Sequence, residues 1–240
     1  MKILLNITLL LIFLILPACA YTQVSGSGQV VSEEREIADV SGVTLATPGE
    51  LTITLGDQEA LRIEAEGNLL PYIQSEVKDG MLTIEVRKKV NFQPTKPIRY
   101  SLTLKELDSI FNTSLGIISA PPLRADNFWI QVNSSGDVNL AGLEAGTLEV
   151  VLTSLGDLTI GGGQVDTQKV NINSSGSYQA GDLRSQAARV EINSLGNATI
   201  WVTRLLDAHL TSSGSLSYYG EPKVTSEKNS LGKLVPLGNK

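Results

Sequence analysis

The chain has 240 residues, 42% of them hydrophobic, enough for one large all-β domain or two smaller ones. Lys and Arg number 19 against 25 Asp and Glu, a formal net charge of −6 that becomes −7 if Lys2 leaves with a leader. That balance repels phosphate backbones, so nucleic acid is not an expected partner, and charge alone would not hold the chain to an anionic membrane.

In chain order, Met1 and Lys2 precede an apolar run from Ile3 to Leu16 that ends in Leu16-Pro17-Ala18-Cys19. The run is short for a bilayer span and closes on small residues, as a secretory signal does. Its ending resembles the bacterial lipobox, which implies a signal peptide over residues 1–18 and a lipid on Cys19. An ordinary secretory cut near Ala20 is the alternative. Cys19 is the only cysteine, so no intrachain disulfide can form. Ala20 and Tyr21 stand where an Asp would signal inner-membrane retention, so the resemblance implies outer-membrane sorting through attached lipid. Residues 19–29 are rich in Thr, Ser, Gly and Gln and read as a flexible tether, leaving 30–240 as the folded domain.

The N-terminal half begins with an alternating strand, a Thr47-Pro48-Gly49 turn and a second strand, Val43 to Ile53 in all. Leu61 to Gly67 reads as a further strand and turn, with Gly67 placed 18 residues after Gly49. Asn68-Leu69-Leu70-Pro71-Tyr72-Ile73 predicts one short helical turn, with Asn68 as the cap and Pro71 in the first turn. Asp79-Gly80 predicts a hairpin turn into Met81–Val86. Lys88, Lys89, Pro94 and Pro97 mark an exposed excursion before a strand at Arg99–Leu104.

From Phe111 onward a three-residue mark recurs seven times: Ser, then Leu or Ser, then Gly. Its glycines are Gly116, Gly136, Gly156, Gly176, Gly196, Gly214 and Gly232, spaced 20, 20, 20, 20, 18 and 18 apart. A fixed period of this length predicts a solenoid whose rungs stack with parallel strands ~4.8 Å apart. Aligned on the glycines, apolar residues form columns, such as Ile130 over Val150, Val170, Val190 and Ala208, alternating with polar neighbours. Parallel crossovers favour a right-handed coil. Glycine is expected at the corner for positive φ. The middle residue alternates strictly between Leu and Ser, which predicts large and small side chains sharing one packed volume. A Thr or Asn precedes every mark, and these columns are expected to hydrogen-bond along the stack.

The pieces Gly26–Arg35, Gly49-Glu50-Leu51-Thr52-Ile53, Asn68–Ile73 and Asp79–Ile84, with the Ser-x-Gly ladder, resemble the putative auto-transporter adhesin, head-GIN domain family. The likeness spans roughly residues 28–231 and implies a right-handed parallel β-helix, an all-β solenoid with less regular N-terminal rungs. It brings no catalytic motif.

Searching the residues for chemistry yields little. There is one histidine, His209, and no Gly-x-Ser-x-Gly, so nucleophilic catalysis lacks its parts. One His and one Cys cannot make an ordinary zinc site. Asp137 and Asp157 share a rung position and are the one carboxylate pair on offer, for calcium or for a carbohydrate lyase or hydrolase. Trp129 and Trp201 are candidate contacts for sugar or protein, with Trp129 expected beneath the Pro94–Pro97 loop. The reading is a lipid-anchored, exported β-solenoid without cofactor. It is expected to be non-catalytic, acting in adhesion or scaffolding on a glycan or envelope protein, and monomeric, with Pro236 to Lys240 as a terminal cap.

Overall fold

The computed structural model describes residues 22–229 and 231–240. Cys19, residues 1–18 with their expected signal peptide, and Ser230 of the last mark lie outside the described residues. Strand accounts for 64% of the described residues and helix for 1%.

The N-terminal strands are β1 (Thr22–Ser25), β2 (Val30–Arg35), β3 (Gly42–Ala46), β4 (Glu50–Leu55), β5 (Ala60–Glu66), β6 (Ile73–Lys78), β7 (Met81–Val86), β8 (Val90–Gln93) and β9 (Arg99–Leu104). The repeats supply β10 (Ser109–Asn112), β11 (Ile117–Ala120), β12 (Leu123–Val132), β13 (Val138–Leu140), β14 (Leu143–Leu152), β15 (Leu158–Ile160) and β16 (Gly163–Ile172). The long β17 (Ser177–Ile192) and β18 (Asn197–Leu210) follow, then β19 (Ser215–Tyr219), β20 (Lys223–Lys228) and β21 (Lys233–Pro236).

The repeats form a β-solenoid of about six turns. Each turn holds three runs of strand, with the Ser-x-Gly corner between the first two. The register is parallel throughout: Ile110 pairs with Ile130, Ile130 with Val150, Val150 with Val170, Val170 with Val190 and Val190 with Ala208. These columns are the ones the glycine alignment predicts. Alternate residues face inward, so Leu148, Val150 and Leu152 are wholly buried while Glu149 stands outside. Each buried aliphatic contributes about 1.5–3 kcal/mol.

Polar residues that stand at apolar core positions have partners: Ser185, in the column of Val165, donates to the Trp201 carbonyl at 2.8 Å. Gln168 occupies the core position of Leu148 and accepts a 2.8 Å bond from the Tyr178 hydroxyl. Asn112 occupies the position of Val132, donates to the Gly116 carbonyl at 2.7 Å and accepts from the Ser114 amide at 3.3 Å.

Stack order departs from chain order at the N-terminal end. β3 and β4 lie directly beneath β10 and β11, with Ile117 N–H bonded to the Gly49 carbonyl at 2.9 Å. On their other side lie β7 and β9. The rung formed first in the chain is therefore sandwiched between two later ones, and residues 105–108 step across it. Beyond β9 the sheet continues antiparallel through β5 and β2, and beyond β7 through β6. Gly67 is consequently no rung corner; it follows the antiparallel β5 and donates its amide to the Gln29 carbonyl at 3.0 Å.

Other details also differ from expectation. Among the described residues the one helical element is a 3₁₀ turn, Leu70–Tyr72, whose cap position is Leu69. Asn68 instead accepts from the Ser27 amide at 3.0 Å and donates to the Ser25 carbonyl at 2.8 Å, tying down the N-terminal segment. That segment is no free tether over its described part: β1 pairs in parallel with β8, which the excursion supplies. Asp79 and Gly80 do form the predicted hairpin turn, at φ 50° and 77°.

The glycines of the Ser-x-Gly marks have ordinary φ; Gly49, at the equivalent corner of the rung beneath them, has φ 131°, and other positive-φ glycines such as Gly28 and Gly163 lie away from the corners. Glycine is needed because successive corners nearly touch. A Cβ on Gly156 would lie 2.2 Å from the Gly136 carbonyl oxygen and 2.6 Å from that of Ser134. The alternating middle residues do not pack inward either. Leu115, Leu155, Leu195 and Leu231 are 60–82% exposed. The preceding Thr/Asn column does bond along the stack, with Thr153 donating to Asn133 and Thr211 to Asn193, both at 2.9 Å.

Candidate binding cleft

Trp129 stands outward on β12 in a column that reads Gly42, Ser109, Trp129, Glu149, Lys169, Arg189, Asp207. The two positions below it are small, so the indole overlooks open space and is 44% exposed. Phe111 meets it edge-on, with ring centroids 5.0 Å apart at 72°. The Pro94–Pro97 loop does not cover it. Its neighbour is the segment that crosses the sandwiched rung, where the Trp129 amide donates to the Asp108 carbonyl at 2.9 Å.

Crossing segment and solenoid wall enclose a cleft of about 740 Å³. Glu106, Asp108, Asp126 and Glu149 bring carboxylates, Arg124 and Lys169 bring cations, and Trp129 brings an aromatic plane. Arg124 is the hinge of a wider surface, since it also lines two further depressions on the neighbouring wall. Along that wall a ladder runs Arg124, Glu144, Gln164, Arg184, Trp201. Arg124 pairs with Glu144 at 2.7 Å, and Arg184 donates to Gln164 at 3.5 Å. Trp201 closes the ladder beneath the Lys240 ammonium, which lies 5.9 Å from its ring and 4.7 Å from that of Tyr219. Lys240 also bonds the Gly181 carbonyl at 2.8 Å and pairs with Asp182.

The structure brings Trp129 and the carboxylates of the crossing segment together; it does not bring Asp137 and Asp157 to that cleft. Those two act on backbone. Asp137 Oδ1 accepts from the Asp157 amide at 3.0 Å, and Asp157 Oδ1 accepts from the Ser177 amide at 2.8 Å. They continue the corner ladder one rung at a time. His209 lies 3.0 Å from Asp207 and 3.4 Å from Glu227, among the charged residues of the outer face. Among the described residues no cluster of three or more His, Cys, Asp or Glu is placed to hold a metal ion. Glu106, Asp108 and Arg124 escape a sequence reading because their meeting depends on the crossing of the sandwiched rung.

One buried carboxylate has a different task. Glu66 is 1% exposed and accepts from the Thr95 amide at 2.8 Å, the Thr95 hydroxyl at 2.6 Å, the Lys96 amide at 3.2 Å and the Gly28 amide at 2.5 Å. These bonds, the Thr95 hydroxyl first, hold its pKa down at about 2. Glu66 thereby clamps the N-terminal segment and the excursion to the solenoid.

Residues 39–222 match the family described as "Putative auto-transporter adhesin, head GIN domain". The chain belongs to this family. Solved structures of similar fold include a putative adhesin from Bacteroides fragilis NCTC 9343, 23% identical with TM-score 0.83, covering 89% of this chain and 100% of that one. A protein described as a putative lipid binding protein from Parabacteroides distasonis ATCC 8503 is 21% identical with TM-score 0.76, covering 90% and 100%. A putative adhesin from Parabacteroides merdae ATCC 43184 is 18% identical with TM-score 0.70, covering 90% and 99%. No curated protein matches the chain. Among the described residues no helix is long and apolar enough to cross a membrane. The head-GIN membership makes this an adhesin-like exported envelope protein.

Proposed function

We propose that this head-GIN chain is a non-catalytic adhesin, anchored to the outer membrane by a lipid on Cys19, that binds a glycan of the envelope or of a neighbouring surface in the Trp129 cleft. The observation that supports this reading is the cleft itself: an exposed indole beside four carboxylates and two cations, in an otherwise closed and regular stack. An aromatic plane with a few convergent polar groups suits a sugar ring, which has one apolar face and a rim of hydroxyls. The carboxylate pair that a hydrolase would use is engaged with backbone amides at the corner.

The test has two arms. Mass spectrometry of the protein from its native membrane should find a diacylglycerol-modified Cys19 as the first residue. In a glycan screen, Trp129→Ala should lower binding at least tenfold with an unchanged melting temperature, and Asp137→Asn with Asp157→Asn should leave binding intact. Equal glycan binding by Trp129→Ala and the native protein would remove the cleft from the proposal.

A further inference from the structure

A ridge of alternating leucine and serine runs the length of the repeats, and the interior uses none of it. Leu115, Leu155, Leu195 and Leu231 are 72, 65, 60 and 82% exposed. Ser135, Ser175 and Ser213 between them are exposed as well. The corners stack through their glycine and serine backbones, whatever stands at the middle position. The leucines thus project as teeth roughly 9.6 Å apart, two rung spacings, with a serine notch between neighbours. Such a ridge is complementary to itself when shifted by one rung. We infer that it is a self-association surface that pairs two copies of this chain antiparallel, leucine teeth in serine notches. The inference rests on the adhesin reading above and names a second partner for it, replacing the expectation of a monomer.

Closed pairs have two-fold symmetry, and two such arrangements bring ridge to ridge. A parallel one, with its axis along the ridge, sets each ridge residue against its own copy, Leu155 on Leu155 and Ser175 on Ser175, and turns the Asp137/Asp157 flank of one copy towards the Thr/Asn flank of the other. Teeth collide with teeth and notches are left facing notches. The antiparallel arrangement, with its axis between Leu155 and Ser175, sets Leu115 against Ser213, Leu155 against Ser175 and Leu195 against Ser135. Leu231 then meets Pro48, the middle residue of the corner directly beneath Leu115. This operation keeps each flanking column opposite itself. Asp137 therefore faces Asn197 and Asp157 faces Ser177, so each carboxylate meets a hydrogen-bond donor rather than its own kind. On the other flank, Thr113, Asn133 and Thr153 face Thr211, Asn193 and Asn173.

Size sets the strength. Eight leucines at about 100 Å² each give about 800 Å² of apolar burial, short of the roughly 1,200 Å² at which stable interfaces begin. The pair is weak in dilute solution and becomes effective where many copies share one surface. Direction follows from the anchor. Cys19 lies three residues before β1, which is bound to β8 at the β7/β9 end of the stack. Antiparallel copies put their anchors at opposite ends, so pairing joins two membranes rather than two neighbours in one.

The lipidated mature chain, reconstituted in phosphatidylcholine vesicles, should cluster them, as read by light scattering. Leu115→Ser, Leu155→Ser and Leu195→Ser together should reduce clustering at least tenfold at native melting temperature. Filling the notches with Ser135→Leu, Ser175→Leu and Ser213→Leu adds apolar surface yet should reduce it as much. Vesicles carrying the toothless form mixed with vesicles carrying the filled form should cluster again. In disulfide trapping, Leu115→Cys on one copy should link to Ser213→Cys on another. Ser213→Cys alone should give no link, because its two copies lie five rungs, roughly 24 Å, apart. Stronger clustering by the filled form, or efficient linking of Ser213→Cys to itself, overturns the inference. If Cys19 carries no lipid, the anchor reading fails, and the same trapping at high protein concentration in solution still decides the pairing.

Discussion

At the scale of single residues, Gly156 and Gly28 answer two different demands on glycine. Gly156 has ordinary φ but no room for a Cβ, whereas Gly28 has φ 80° and nothing within 4 Å of an added Cβ. Asparagine tolerates the left-handed region, so Gly28→Asn should leave the melting temperature near native. Gly156→Ala and Gly156→Asn should both cost about 1–3 kcal/mol or more, because the obstacle is another corner's backbone. Equal losses at the two sites in urea unfolding would count against stacking contact as the reason for the corner glycines. Glu66 gives a prediction in pH. Its carboxyl falls from an ordinary 4.5 to about 2 on folding. The clamp therefore contributes fully above about pH 4.5, and the contribution is lost as pH falls from there through 2. Glu66→Gln should melt below the native protein at neutral pH, with the gap closing towards pH 2. A gap of constant size across that range would mean that the charge of Glu66 is not what holds the excursion.

At the scale of elements, the repeat strands were legible because a constant period fixes which residues lie over which. Val150 over Val170 follows from counting to twenty, and the register bears it out. The placement of β3 and β4 was not legible. Their motif matches a rung, yet their neighbours in the stack come from residues 81–104 and 109–120, and only long-range pairing decides that order. The corner glycine was found for the wrong reason, since a Gly-rich turn looks the same in sequence whether φ or crowding demands it. Likewise, alternation of Leu and Ser says that neighbours are coordinated but not which way they point. The sandwiching has a measurable consequence. β3 is covered by strands on both edges and its Val43 and Leu45 are buried, whereas β20 has every residue exposed. Amide exchange should therefore be as slow in β3 as in β14 and orders of magnitude faster in β20. Fast exchange in β3 would mean that the first rung is not enclosed by later chain.

At the scale of the whole molecule, the solenoid is a sum of rungs and the contacts between neighbours, so whole turns can be removed without a new fold. Val165 and Ser185 occupy equivalent positions, as do Ala145 and Val165. Excising residues 165–184 removes one turn, taking Gln168 and its partner Tyr178 out together. Excising 145–184 removes two. Both shortened chains keep Trp129 and should fold, melting below the native chain in proportion to the interfaces lost. They differ in the phase of the ridge. The one-turn deletion reads Leu, Ser, Leu, Leu, Ser, Leu, and every antiparallel register overlapping more than two rungs then sets leucine on leucine. The two-turn deletion reads Leu, Ser, Leu, Ser, Leu and still interlocks over four rungs. Vesicle clustering should thus be lost on removing 20 residues and return, at reduced strength, on removing 40. Pairing that merely declined with length, 20 residues costing less than 40, would show that the ridge works by area alone and that its alternation carries no register.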